Sequence, residues 1–208
     1  MDFNEYLYII RSDLYRFCGS MKISQMIRCL FSNEGGSYKY VFWMRTCNYT
    51  RNSGILRYTL YPLARHLLLH YTFKLGISVP FLADIGSGFY IGHYGGIIVS
   101  PFSKIGKNCN LSHGVTIGQS NRGKNKGYPV VGNNVYIGPG AKIIGRVVIG
   151  DNVAIGANCV VTKDVPDNAV VVGVPGRVIS FDGSAGYVNR TDYDNKKEMQ
   201  TYWPKHYE

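Results

Sequence analysis

An aliphatic residue returns at every sixth position through the middle of this chain. The series runs Ile85, Ile91, Val99, Ile105, Leu111, Ile117, Val131, Ile137, Ile143, Ile149, Ile155 and Val161, with Val79 beginning it. Two steps depart from six: eight between Ile91 and Val99, and fourteen between Ile117 and Val131. Glycine follows many of these residues, as at Gly86, Gly106, Gly132 and Gly150. Four places after the aliphatic comes a small or branched side chain, such as Ala83, Cys109, Val115, Val135, Ala141 or Cys159. A helical pattern repeats at about 3.6 residues and a strand at about 2, so a sustained period of six fits neither. It predicts a mainly β fold: a parallel β-helix of hexapeptide repeats, three hexads closing one triangular coil. The aliphatic residue points inward and glycine is accommodated at the bends.

Residues 2–78 lack this period. Leu7, Ile10, Leu14 and Phe17 recur at helical spacing. A second helix is predicted over 38–48, after a loop at 32–37. The apolar stretch 55–75 carries Arg57, Arg65, His66, His70 and Lys74, and Pro62 starts or kinks a helix there. The chain therefore divides into an N-terminal helical region (1–78), a β-helix domain (79–180) with an inserted loop (119–130), and a tail (181–208). The aromatic and basic helices predict a cap on the open end of the β-helix; the alternative is peripheral contact with a membrane surface. The tail is polar and aperiodic and is expected to be irregular, with Tyr202 and Trp203 as its packing candidates.

Charge adds little to this picture. A formal net charge of +10 predicts an anionic partner, but nucleic acid, a membrane face, an acidic glycan and a phosphorylated cofactor all qualify. Five cysteines without C-x-x-C spacing predict a reduced, cytoplasmic protein. Cys109 and Cys159 fall in the inward slot, as small hydrophobes. No charge-free run reaches the roughly 18 residues of a membrane span, and the acidic N-terminal start lacks a signal-peptide pattern.

The repeat also places chemistry. His93 is the third residue of the hexad from Ile91, and His113 the third of the hexad from Leu111. Those hexads are three apart, so the two imidazoles stack on adjacent coils, about 4.8 Å apart. Pro139 and Ala157 continue the ladder. The inserted loop is polar and basic, leaves the coil directly after Gly118, and can reach that edge in its own subunit or in a neighbour. A lone histidine at a bend is ordinarily a solvated or hydrogen-bonded side chain. Two stacked beside a basic loop point to function, with His93 as the proton acceptor and His113 beside it. A neutral imidazole, with an ordinary pKa of about 6.5, suits that task near neutral pH. Zinc would need three ligands; two histidines are at hand and a third would come only from elsewhere, so no metal site is the first expectation and a carbonic-anhydrase-like site is one alternative. A catalytically silent scaffold is the other alternative. Lys104, Lys107, Lys142, Arg146, Lys163 and Arg177 read mostly as a solvated face.

The runs 85–93, 111–118, 135–145, 155–166 and 172–179, from Ile85-Gly86-Ser87-Gly88 to Val172-Gly173-Val174-Pro175-Gly176-Arg177, resemble the hexapeptide-repeat acyltransferases. Within them the chain is similar to the serine acetyltransferase branch, and to acetyltransferases of capsule and exopolysaccharide synthesis. The resemblance implies a left-handed β-helix, a homotrimer with active sites in the grooves between prisms, acetyl-CoA as acyl donor, and no nucleic-acid partner. His93 falls on the family's catalytic histidine. Gly118, Gly138, Pro139 and Ala157 fall where the pantetheine arm meets backbone, and Lys163 and Arg177 near the cofactor's phosphates. Three positions depart from the family pattern. Gly92 stands where an aspartate is usual, and Ser78 where the helper aspartate lies; the nearest carboxylate, Asp84, is out of register. Lys126-Gly127-Tyr128-Pro129 replaces Asp-Arg-His-Pro in the loop, leaving Tyr128 as the acceptor contact. Loss of the loop arginine that would pair with a carboxylate favours a sugar or glycan hydroxyl over L-serine as acceptor.

Overall fold

The computed structural model describes residues 1–32 and 35–200. Four helices come first: α1 (Phe3–Cys18), α2 (Ile23–Phe31), α3 (Gly36–Arg51) and α4 (Leu60–Leu75). Pro62 lies in the first turn of α4, where its missing N–H costs nothing. Asn33 and Glu34, inside the predicted loop 32–37, and Tyr202 and Trp203 in the tail lie outside the described residues.

The six-residue period then becomes a coil. The first turn is β1 (Ile77–Ser78), β2 (Asp84–Ile85) and β3 (Tyr90–Ile91). The second is β4 (Ile97–Val99), β5 (Lys104–Ile105) and β6 (Asn110–Leu111), and the third β7 (Thr116–Gly118), β8 (Val130–Val131) and β9 (Tyr136–Ile137). The fourth is β10 (Lys142–Ile144), β11 (Val148–Ile149) and β12 (Ala154–Ile155). β13 (Val160–Val161) and β14 (Val170–Val172) follow, and β15 (Arg177–Ser180) closes the last face antiparallel to β14. Strands three apart pair in parallel, except that β14 pairs with β12 because Val165 makes only a single bridge to Ile149 on the second face; the faces are β1-β4-β7-β10-β13, β2-β5-β8-β11 and β3-β6-β9-β12-β14. In-register pairing stacks Ile91, Leu111, Ile137 and Ile155 inside the prism, all fully buried or nearly so. Each such side chain contributes roughly 1.5–3 kcal/mol on burial.

Asparagine, as well as glycine, makes the bends. Between the second and third faces, Asn108, Asn134, Asn152 and Asn168 all adopt positive φ, between 54° and 58°. Their amides bond in a column, Asn108 to Asn134 and Asn134 to Asn152, each at 3.0 Å, and Asn152 to Asn168 at 3.2 Å. Asparagine tolerates the left-handed region better than most side chains, and the column pairs all of these amides to a neighbour, with only the Asn108 Oδ1 buried and unpartnered among them.

A β-helix ends in unpaired backbone groups, and the helices cover the first end. The Arg45 guanidinium donates to the carbonyls of Ile85 and Gly86, both at 2.6 Å. The Tyr40 hydroxyl pairs with the N–H and C=O of Val79. Asp13 accepts from the Phe89 N–H at 2.7 Å and forms a buried ion pair with Arg45. The inward face of α1 therefore buries Ser12, Asp13 and Arg16 beside Ile10 and Leu14. Its apolar spacing gave no sign of these polar residues, because their partners are main-chain groups of the first coil.

The tail departs from expectation. It folds back as a 3₁₀ turn (Asp192–Asn195) and a short helix, α5 (Lys197–Gln200). Tyr193 is fully buried, its hydroxyl 3.1 Å from Ser87 and its ring edge-on to Tyr8. One aromatic anchor ordered against the prism overrides the low periodicity of the segment.

Candidate active site

The bend from the third face to the first carries His93 and His113. Pairing of Ile91 with Leu111 sets them two residues further on, on adjacent coils. Their ring centroids lie 6.2 Å apart at an interplanar angle of 75°, and both side chains are exposed. Gly114 and Gly140 hold positive φ of 70° and 74° at this bend, and the Gly140 N–H donates to the His113 carbonyl at 2.9 Å. Lys142, expected to be solvated, instead donates to the Gly114 carbonyl and to the Thr116 hydroxyl. It braces the turn that presents His113.

Gly138, Pro139 and Ala157 lie on the same bend, one and two coils beyond His113. The Gly138 N–H donates to Ile155 C=O and the Asn158 N–H to Pro139 C=O, each at 2.8 Å. Gly118, Tyr128 and Lys163 lie on the bend from the first face to the second instead. The inserted loop is pinned there: Ser120 and Gly127 exchange backbone hydrogen bonds, the Arg146 N–H donates to Asn125 C=O, and the Asn125 amide donates to Thr162 C=O. The Tyr128 ring packs on Phe102, centroids 4.9 Å apart. Within one chain the loop therefore does not reach His93, because the first face separates the two bends. Arg177 is exposed on β15, opposite Val172.

The carboxylates lie elsewhere too. Asp84 is on the second face, 3.7 Å from Lys104, and Ser78 pairs with Ile98 on the first. Among the described residues no carboxylate hydrogen-bonds His93. A Cβ at Gly92 would stand 3.3 Å from the Tyr90 ring, so a side chain at 92 would press that ring aside slightly. Among the described residues no three of His, Cys, Asp and Glu converge as metal ligands, and no helix is long and apolar enough to cross a membrane.

Beside His93 opens a cavity of about 460 Å³. Its floor is the outward row Tyr90, Asn110 and Tyr136 of the third face. Arg16 and Phe17 of α1 form one wall, Tyr187 and Arg190 of the tail another, and Gly92, His93 and Ser112 the rim. Tyr187 stacks on Tyr136 at 4.5 Å, and its carbonyl accepts from the Asn110 amide at 2.9 Å. Arg16 donates through Nε to Gly88 C=O at 3.2 Å and through Nη2 to Asn110 Oδ1. Its Nη1 is buried without a partner, and burial pushes the guanidinium below its ordinary pKa. Sequence reasoning missed Arg16, Asn110, Tyr187 and Arg190. They are distant in the chain and meet only because α1 and the tail fold over the same face. The one local signal was a charged residue, Arg16, set between the predicted inward positions Leu14 and Phe17.

Comparison with known proteins fits this geometry. Residues 128–163 match the family model described as bacterial transferase hexapeptide (six repeats). The chain is similar to the serine acetyltransferase of Synechococcus elongatus, 40% identical over 123 residues that make up 59% of this chain and 50% of that protein. It thus spans about half the length of that relative. It is also similar to the serine acetyltransferase of Helicobacter pylori, 38% identical over 122 residues, 59% of this chain and 71% of that protein. Among solved structures, a serine acetyltransferase in complex with CoA superposes with a TM-score of 0.62 at 26% identity, covering 83% of this chain and 68% of that one.

Proposed function

The chain belongs to the serine acetyltransferase family, and from that premise we propose that it is an acetyl-CoA-dependent O-acetyltransferase with His93 as its general base. The observation that carries this is the pair of imidazoles, their centroids 6.2 Å apart, of which His93 stands at the rim of a cavity lined mostly by polar side chains. His93 takes the proton of an acceptor hydroxyl as that oxygen attacks the thioester carbonyl. CoA leaves as the thiolate and recovers the proton from the imidazolium, so no acyl-enzyme forms. Holding the two reactants together contributes on the order of 7–11 kcal/mol at best. The free thiols fit a passive role: burial pushes Cys47 up to about 11 and Cys109 up to about 12, far from a reactive thiolate.

The acyl donor lies against the ladder Gly138, Pro139 and Ala157, and meets Gly118, Lys163 and the inserted loop from a second copy. The family resemblance implies that this meeting occurs in a homotrimer of left-handed prisms, each groove joining the His93 bend of one chain to the Tyr128 bend of the next. It is supported by the split of the candidate residues over two bends of one chain. Arg177 is the remaining candidate for a phosphate contact.

L-Serine is the acceptor that the relatives and the cavity support together. The preference for a sugar or glycan hydroxyl rested on the missing loop arginine, and two other arginines line the cavity. Thiol release from acetyl-CoA, followed with L-serine and with nucleotide and lipid-linked sugars, tests the choice. Turnover with serine is expected; acetylation of a sugar alone would reinstate the glycan acceptor.

A further inference from the structure

The cavity beside His93 contains a buried cation that the fold leaves partly unused. Arg16 is 2% exposed. Two of its nitrogens are occupied by Gly88 and Asn110, and Nη1 has no hydrogen-bond partner. A guanidinium keeps its charge in a protein and is costly to bury unpaired. Asp13, the neighbouring carboxylate, attracts Arg16 through space, but its hydrogen bonds go to Arg45 and to the Phe89 N–H, so the Arg16 Nη1 remains without an acceptor. A second cation, Arg190, is tied over the end of α1 by its Nη1, which donates to the carbonyls of Arg16 at 3.3 Å and Phe17 at 2.9 Å. Both arginines line the cavity that has His93 at its rim.

We propose that Arg16 is the receptor for a carboxylate on the acceptor, so that the enzyme selects a small hydroxy acid whose hydroxyl faces His93. A guanidinium nitrogen with unused N–H donors suits a carboxylate oxygen as acceptor, and charge-assisted hydrogen bonds are the strong ones. Arg190 adds positive charge at the mouth of the same cavity. Selectivity for an acid would thus come from α1 and the tail, and not from the inserted loop. This inference rests on reading the cavity as the acceptor side of an acetyltransferase site.

L-Serine and L-serinamide differ by the carboxylate and share the hydroxyl and amine, so thiol-release kinetics with the two isolate the contact. The unaltered enzyme should show a KM for serinamide higher by on the order of 10²-fold. Arg16→Met should erase that preference, and Arg16→Lys should retain part of it, with CoA affinity by calorimetry reporting that each variant folds. Equal KM values in the unaltered enzyme, which needs no variant, would overturn the carboxylate assignment; so would an unchanged ratio in Arg16→Met. A chain that binds CoA yet releases no thiol with any hydroxy acid would overturn the acceptor reading and this proposal together.

Discussion

The imidazoles of His93 and His113 meet edge to face, 6.2 Å between centroids, although twenty positions separate them in the chain. Register alone brings them together: Ile91 pairs with Leu111, and each histidine follows its aliphatic by two residues. The inward packing of two buried side chains thus sets the outward placement of two exposed ones. A one-residue slip would send every inward side chain of a coil to solvent, so the pair is as secure as the core.

His93→Ala removes the proposed proton acceptor without touching that core. The expected loss in kcat is roughly 10²–10⁴-fold, with CoA affinity nearly unchanged. Steady-state thiol release and calorimetric titration with CoA measure the two, and near-normal turnover would remove His93 from the mechanism.

A site shared between copies makes a different forecast. Neither His93→Ala nor a variant lacking loop residues 121–126 should be active alone. Co-assembled at equal amounts, they should recover activity at about a quarter of the grooves of a symmetric trimer. Mixed assemblies that stay silent would place the loop outside the site.

The Asp13–Arg45 pair joins the helical cap to the first coil. Asp13→Ala leaves a buried guanidinium unpaired and the Phe89 N–H unsatisfied. Urea denaturation should show a loss of about 3–5 kcal/mol. A loss below about 1 kcal/mol, the range of surface ion pairs, would mean the cap is not held there.

Asn134 is held at φ 54° and bonded to Asn108 and Asn152. Asn134→Ala adds left-handed strain to the loss of two hydrogen bonds, roughly 2–4 kcal/mol in all. Asn134→Gly loses the bonds but not the backbone ease, so its melting temperature should lie between that of Asn134→Ala and the unaltered protein. A melting temperature for Asn134→Gly below that of Asn134→Ala would show that φ is irrelevant to the choice of asparagine, and one at or above the unaltered protein would show that the column of amides is.

Cys47, Cys109 and Cys159 are buried. Iodoacetamide on the native protein at mildly alkaline pH should leave these three unmodified by mass spectrometry, and activity should survive. Modification of Cys109 in the folded protein together with loss of turnover would overturn the passive role of the thiols.

Legibility in the sequence followed locality. The hexad period survives translation into structure because each aliphatic packs on its equivalents one coil away, so Ile91, Leu111, Ile137 and Ile155 announce the prism and carry the histidine ladder with them. The cavity beside His93 lacks any such repeat. Arg16 is buried by its bonds to Gly88 and Asn110, and Tyr187 by stacking on Tyr136. None of these pairings is spaced in a way the chain advertises.

By itself, then, the order of residues determined a three-faced coil, its register and the meeting of His93 with His113, since a repeating hydrophobic contact needs only neighbours at a constant interval. Tertiary structure alone decided that Tyr128 stands across a face from His93, that the tail returns to bury Tyr193, and that Arg16 reaches the cavity with a nitrogen free. Those outcomes depend on single long-range contacts between polar side chains and exposed backbone edges, which no periodicity encodes.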